Sequence, residues 1–174
     1  MDKIELWNRC VDFHGHECGG LAIGFKASLY AMELLGLDFS KDEEVVCVTE
    51  NDACGVDAIQ FILGCSVGKG NLIFRLRGKQ AFSIYNRRNG KSIRLVLKSL
   101  PDIGKEERKQ YLLDAENTTL FDVKETTFEL PEKAKLFKNV RCECCKELTA
   151  ESMIRLDNGK QLCLECFGNY TRFY

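Results

Sequence analysis

Residues 13 to 20 read Phe13-His14-Gly15-His16-Glu17-Cys18-Gly19-Gly20, and the rest of the fold is predicted to form around them. The stretch contains both histidines of the chain and one of its ten cysteines. In an extended backbone alternate side chains point to the same face, so His14, His16 and Cys18 are predicted to project together. Because imidazole and thiolate are common metal ligands, the His-x-His-x-Cys pattern predicts a metal site.

The segment after Cys18 predicts a long helix that ends near Leu35. Apolar side chains recur there at helical spacing. Cys18 is then expected just before the helix N-terminus, where the dipole and free N–H groups favour a thiolate. The same helix carries a stripe of small residues against which another backbone can pack closely, namely Gly20, Gly24, Ala27 and Ala31. The alternative is that Gly19-Gly20 only separates two helices and that Cys18 is a buried apolar residue.

A second segment, residues 51 to 58, repeats this arrangement. A β-branched strand at residues 44–50 precedes a helix that runs to about Leu63, with Asp52 as its expected N-cap and Cys54 in its first turn. Asp57 lies three residues after Cys54 and therefore shares its helix face. Both are candidate ligands or acid–base groups at the carboxyl end of a strand. Alternatively, Asp57 only complements the helix dipole.

The glycine-rich stretch at residues 64–71 does not predict nucleotide hydrolysis. A P-loop has four residues between its glycines and follows a strand, whereas this stretch has three and follows a helix. A flexible loop here would bring Cys65 and Lys69 toward the shared site, and both are candidate site residues.

Three strands are predicted at residues 72–76, 80–87 and 91–98, and Asn89-Gly90 predicts a tight turn between the last two. A helix at 104–116 and an edge strand within 121–130 follow. Between Lys69 and Lys98 the chain has nine basic residues and no acidic one. Arg75, Arg77 and Lys79 share one face and could bind an anion or an acidic partner. Alternatively, this face is solvated and balanced by acidic helices nearby.

The C-terminal cysteines predict a structural zinc site. Two Cys-x-x-Cys pairs lie 17 residues apart, a spacing typical of zinc-binding ribbons, and their four thiolates are Cys142, Cys145, Cys163 and Cys166. A module of about 30 residues buries too little apolar surface to fold alone, so zinc is expected to supply most of its stability. We predict a core domain at residues 1–130, a linker at 131–140 and the zinc ribbon at 141–174.

Composition limits the function classes. The 174 residues carry a net charge of −1, which predicts neither a nucleic-acid nor a membrane partner. No stretch approaches the roughly 18 apolar residues of a membrane span, and the first residues lack a signal-peptide pattern, so a soluble cytoplasmic protein is expected. In that compartment ten cysteines favour metal sites or reactive thiols over disulfides.

Taken together, the motifs resemble the FmdE family of formylmethanofuran dehydrogenase proteins. Four features carry the resemblance: Phe-His-Gly-His-x-Cys, Asn-Asp-Ala-Cys-x-x-Asp-Ala, Gly-Cys-x-x-Gly-Lys-Gly-Asn and the C-terminal pair of Cys-x-x-Cys motifs. They cover nearly the whole chain. Gly19 is a departure, because the family usually has proline at this position.

The resemblance implies an α+β core domain with helices on a mostly antiparallel sheet, a C-terminal zinc ribbon with four cysteine ligands, and a homodimer. It also implies an association with molybdenum- or tungsten-dependent formylmethanofuran dehydrogenase, which interconverts carbon dioxide and a formyl group on methanofuran. Other subunits of that enzyme are therefore candidate partners. By match to the family motifs the cleft residues are His16, Cys18, Cys54 and Cys65, with His14, Asp57 and Lys69 beside them.

Two functions from different classes follow. The first is a metal-binding protein whose core site holds a second zinc or another transition metal. Its activity, if any, would be metal-assisted, with Asp57 as base and Lys69 stabilising negative charge, or thiol-dependent through Cys18 or Cys54. The second is a non-catalytic accessory or metal-cofactor handling protein that binds a partner through the ribbon and the basic sheet. Nucleic-acid binding is not favoured, because the ribbon lacks a basic stripe with stacking aromatics.

Overall fold

The structure is a computed structural model that describes residues 2–168. The chain divides into two compact units, Met1–Ala134 and Lys135–Tyr174. The helices of the first unit are α1 (Lys3–His14), α2 (Gly19–Leu35), α3 (Gly55–Leu63), α4 (Lys105–Asp114) and α5 (Asn117–Leu120). Its strands are β1 (Val45–Thr49), β2 (Leu72–Phe74), β3 (Ala81–Asn86), β4 (Ser92–Leu97) and β5 (Phe121–Lys124). The predicted α+β class is confirmed.

The five strands form one sheet in the order β2-β1-β3-β4-β5. β1 and β2 are parallel and are joined through α3, whereas the other three neighbouring pairs are antiparallel. β1 has the sequence Val-Val-Cys-Val-Thr and is buried at every position, as expected for a central strand covered on both faces. The mostly antiparallel sheet is therefore confirmed, and α3 begins just beyond the carboxyl end of β1.

The main core lies between the helices and one face of the sheet. It includes Phe25 of α2, Ile59 of α3 and Phe82 of β3, all fully buried. α2 is apolar nearly all round because α3, α4 and the sheet surround it. Even so, no helix within residues 2–168 combines the length and the apolar character needed to cross a bilayer.

Helices α2 and α3 touch backbone to backbone. A Cβ atom built on Gly24 would overlap the carbonyl oxygen of Gly55, and one built on Gly55 would lie 3.0 Å from the carbonyl oxygen of Gly20. The stripe of small residues predicts such an approach, and the structure confirms it. As a result, the starts of the two helices, with Cys18 and Cys54, lie side by side.

The basic strands are partly neutralised within the first unit. Arg94 of β4 donates from Nε and Nη2 to the two carboxylate oxygens of Glu50, at 2.6 and 3.0 Å, and both side chains are buried. This two-bonded geometry is the strongest form of an arginine–carboxylate pair. In contrast, Arg75, Arg77 and Lys79 are exposed, as a solvated or partner-binding face requires.

The second unit is built from two hairpins, β6 (Asn139–Arg141) with β7 (Leu148–Ala150), and β8 (Ile154–Asp157) with β9 (Lys160–Cys163). A 3₁₀ turn (Glu151–Met153) joins them, and the short helix α6 (Leu164–Phe167) follows β9. Asn158 and Gly159 both have positive φ, which suits the tight turn between β8 and β9. Residues 169–174 of the predicted module lie outside the described residues.

Candidate metal centres

Four candidate ligands converge in the first unit. The donor atoms of His14, His16, Cys18 and Cys54 all lie within 4.8 Å of one another. Zinc bonds of 2.0–2.3 Å in a tetrahedron place donors about 3.3–3.8 Å apart, so a small contraction would suffice to hold a zinc ion. The four residues come from the end of α1, the loop after it and the starts of α2 and α3.

The route by which the histidines reach this group differs from the prediction. His14 is the last residue of α1, and Gly15 ends that helix in the left-handed conformation, with φ of 94°. The expected extended backbone from His14 to Cys18 is therefore wrong. A helix end and a turn, instead of period-two alternation, bring His14 and His16 together, with their rings 4.5 Å apart.

His14 is held in a fixed orientation by a carboxylate. Its Nδ1 lies 2.7 Å from an oxygen of Asp57, and the other oxygen of Asp57 accepts a hydrogen bond from Gln60 at 3.0 Å. Its second ring nitrogen, Nε2, is buried and has no hydrogen-bond partner. Because both oxygens of Asp57 are already bonded, its geometry is that of a residue that orients His14.

Both thiols lie at helix starts. Cys18 is the N-cap of α2, as predicted, and its Sγ accepts a hydrogen bond from the N–H of Leu21 at 3.2 Å. Cys54 is itself the N-cap of α3, so its expected place in the first turn, with Asp52 as the cap, is wrong. Burial, followed by a hydrogen bond with Cys18, raises the pKa of Cys54. The two thiols therefore influence each other's protonation.

The structure does not bring Cys65 or Lys69 to this group. Cys65 is fully buried behind β1, its thiol donates to the carbonyl oxygen of Val45 at 3.6 Å, and burial raises its pKa to about 12. Lys69 donates to the carbonyl oxygen of Ser40 at 2.7 Å and lies over the ring of Phe39. Both side chains serve the packing of the loop after α3.

Gly19 occupies the first helical position of α2, where proline is favoured because the N–H has no partner inside the helix. Cys18 before it has ψ of 163°, which a following proline permits. Gly19→Pro is therefore expected to stabilise the protein by roughly 0.5–1 kcal/mol. Urea denaturation measures this change. Gly20→Ala is the contrasting variant, because its Cβ would lie 3.2 Å from that of Cys54. A lower denaturation midpoint for Gly19→Pro contradicts the prediction.

A cavity of about 400 Å³ adjoins Cys18. The beginning of α2 forms one wall and α4 forms the other, through Lys105, Arg108, Lys109 and Leu112. Sequence reasoning missed this cavity, although those four residues follow the i, i+3, i+4, i+7 spacing of a single helix face. It also missed Gln60, whose position three residues after Asp57 was the available signal.

In the second unit the donor atoms of Cys142, Cys145, Cys163 and Cys166 also lie within 4.8 Å of one another. The N–H of Cys163 donates to Sγ of Cys142 at 3.3 Å, and this bond contributes most to lowering the pKa of Cys142 to about 6. A hydrogen bond with Cys163, followed by burial, raises the pKa of Cys166. Such a group can hold a metal ion in place of its protons.

Comparison with known proteins agrees with the fold. The family model "FmdE, Molybdenum formylmethanofuran dehydrogenase operon" matches residues 13–149. A protein of Archaeoglobus fulgidus, described as a probable S-adenosyl-L-methionine-binding protein, is 29% identical over 195 aligned positions. The alignment covers 93% of this chain and 52% of that protein, so the chain spans about half the length of this relative.

A solved structure is also similar. It is an FmdE-like protein of tungsten formylmethanofuran dehydrogenase from Syntrophus aciditrophicus, with a TM-score of 0.65 and 22% identity. The match covers 95% of this chain and 91% of that one. At this identity the likeness supports the fold alone.

Proposed function

We propose, from the premise that the chain belongs to the FmdE family, that it is a protein that binds two zinc ions. One ion is held in the core by His14, His16, Cys18 and Cys54, and the other by the four cysteines of the second unit. The core ion serves function, and the other ion serves folding.

The observation that carries the proposal is the state of His14. A buried nitrogen without a hydrogen-bond partner is costly unless something binds it, and Nε2 of His14 is such an atom. Its neighbour Nδ1 is bonded to Asp57, which is the usual way a protein orients a metal-ligating histidine. Nε2 is therefore presented for coordination, next to three other donors.

Zinc is the metal that the donors suit best. Two imidazoles and two thiolates form a common tetrahedral zinc set, whereas magnesium and calcium prefer oxygen ligands. His16 is exposed and His14 is not, so His16 is the donor that most readily gives way to water or a ligand. A zinc ion with such an open position can polarise a carbonyl group or activate water.

A second candidate function is a non-catalytic accessory or metal-handling protein. The closed set of four donors favours it, because a metal with four protein ligands has no free position. The exposed residues Arg75, Arg77 and Lys79 would then contact an acidic partner. A homodimer and contacts with other dehydrogenase subunits belong to the same proposal.

Counting metal ions tests the core site. Protein purified without added metal is expected to contain two zinc ions per chain by elemental analysis, and Cys18→Ser or Cys54→Ser is expected to contain one. Circular dichroism checks that each variant remains folded. A wild-type protein with a single zinc that Cys18→Ser does not change would overturn the proposal.

The role of Asp57 gives a finer test. Asp57→Asn leaves the four donors in place but removes the carboxylate that orients His14, and it is expected to weaken zinc binding in the core about 10–100-fold. The matched control is Asp52→Asn, an exposed aspartate of the same loop. Competition with a chromophoric chelator measures the affinity. Equal losses in both variants would contradict an orienting role for Asp57.

A further inference from the structure

The cavity beside Cys18 has a wall that carries positive charge. Lys105, Arg108 and Lys109 line it from α4, and the lining also includes Glu17 and Glu106. Lys109 bonds to both glutamates, at 2.7 and 2.6 Å. The remaining two cations have no carboxylate partner among the described residues, so the lining has a net charge of +1.

Arg108 is held in place against this cavity. Its Nη2 donates to the carbonyl oxygen of Ile103 at 3.1 Å, while its Nε is buried without a hydrogen-bond partner. A guanidinium fixed in this way loses little freedom on binding an anion. The positive end of α2, a helix of 17 residues, lies on the opposite wall and favours negative charge as well.

The rest of the lining is apolar. Ile23, Leu100 and Leu112 contribute side chains, and Gly19 and Gly20 leave room because they have none. The volume of about 400 Å³ lies within the range of small-molecule sites. The cavity therefore combines one excess positive charge with an apolar surface, and one of its lining residues is the candidate zinc ligand Cys18.

We infer that this cavity binds a small organic monocarboxylate with an apolar body. The carboxylate pairs with Arg108 and Lys105, and the body packs on Ile23, Leu100 and Leu112. One carboxylate balances the net charge of the lining, whereas inorganic phosphate carries more charge and has nothing to fill the apolar part. The inference rests on the proposed function in one respect: with zinc on Cys18, the bound molecule lies beside the metal.

Benzoate is a suitable probe, with the full chain in its metal-loaded form. Ligand-observed NMR is expected to show benzoate binding to the wild type and about tenfold weaker binding to Lys105→Gln and to Arg108→Gln. Lys91→Gln, an exposed lysine near the hairpin turn, is the matched control and is expected to bind as the wild type does. Because Lys105 is exposed, its variant is expected to fold even if Arg108→Gln does not.

Cobalt loading tests the position of the benzoate. Paramagnetic relaxation of benzoate protons is expected in cobalt-loaded wild type and is expected to be lost in Cys18→Ser, which keeps the cobalt of the second unit. A protein with two metals that binds no benzoate, binds it equally in Lys105→Gln, or prefers phosphate overturns the inference and leaves the proposed function intact. A protein with no core metal overturns the proposed function, and benzoate binding still shows separately whether the cavity takes a carboxylate.

Discussion

Cys163→Ser is expected to release the zinc of the second unit and to unfold that unit, while the first unit stays folded. Among the described residues after Ala134, only Cys142 and Leu162 are buried, so apolar packing contributes little. In zinc-finger peptides the metal supplies roughly 10–16 kcal/mol of apparent binding energy, and that energy is folding energy. The predicted loss is therefore complete.

Two measurements check this prediction. Elemental analysis is expected to show one zinc ion fewer, and limited proteolysis is expected to cleave after residue 135 but not within the sheet of the first unit. Cys144→Ser is the matched control, because Cys144 is exposed and lies outside the group of four donors. A Cys163→Ser protein that keeps its metal and resists protease in the second unit would contradict the structural role.

Gly24→Ala is expected to destabilise the first unit by about 3 kcal/mol or more. The added methyl group would overlap the carbonyl oxygen of Gly55, which is backbone and cannot rotate away. The helices α2 and α3 must then separate along their contact. Urea denaturation followed by circular dichroism measures the change in the free energy of unfolding.

The same variant is expected to weaken zinc binding in the core, because the contact of α2 with α3 sets the separation of Cys18 from Cys54. Gly19→Ala is the control on the same helix, since its Cβ would lie at an ordinary 3.7 Å from Leu112. It should leave both quantities nearly unchanged. An unchanged denaturation midpoint in Gly24→Ala would show that the helices adjust without cost.

The elements of the fold were largely predictable from local patterns. Apolar spacing indicates α2, and the Asn89-Gly90 turn indicates the β3–β4 pair. The pairing of β1 was not predictable, because β1 runs parallel to β2 and antiparallel to β3 at once. Strand order depends on packing between distant segments, and a short buried strand such as Val45–Thr49 contains no information about its neighbours.

The candidate site shows the same division. The spacing of the four C-terminal cysteines is sufficient to predict their grouping, because each knuckle is local. Cys18 and Cys54 are also recognisable from local helix starts. The expected place of Cys65 beside them is wrong, since a sequence pattern cannot tell which way a loop residue points after a helix. The pairing of His14 with Asp57 joins residues 43 positions apart and had no local signal.

The contact between Gly24 and Gly55 also bears on which ions the core can accept. When two ligands are held apart by main chain instead of by flexible side chains, their separation hardly adapts to the ion between them. The core site should then discriminate by ionic radius: zinc and cobalt have nearly the same radius and should exchange freely, whereas the larger cadmium ion would have to push two helices apart.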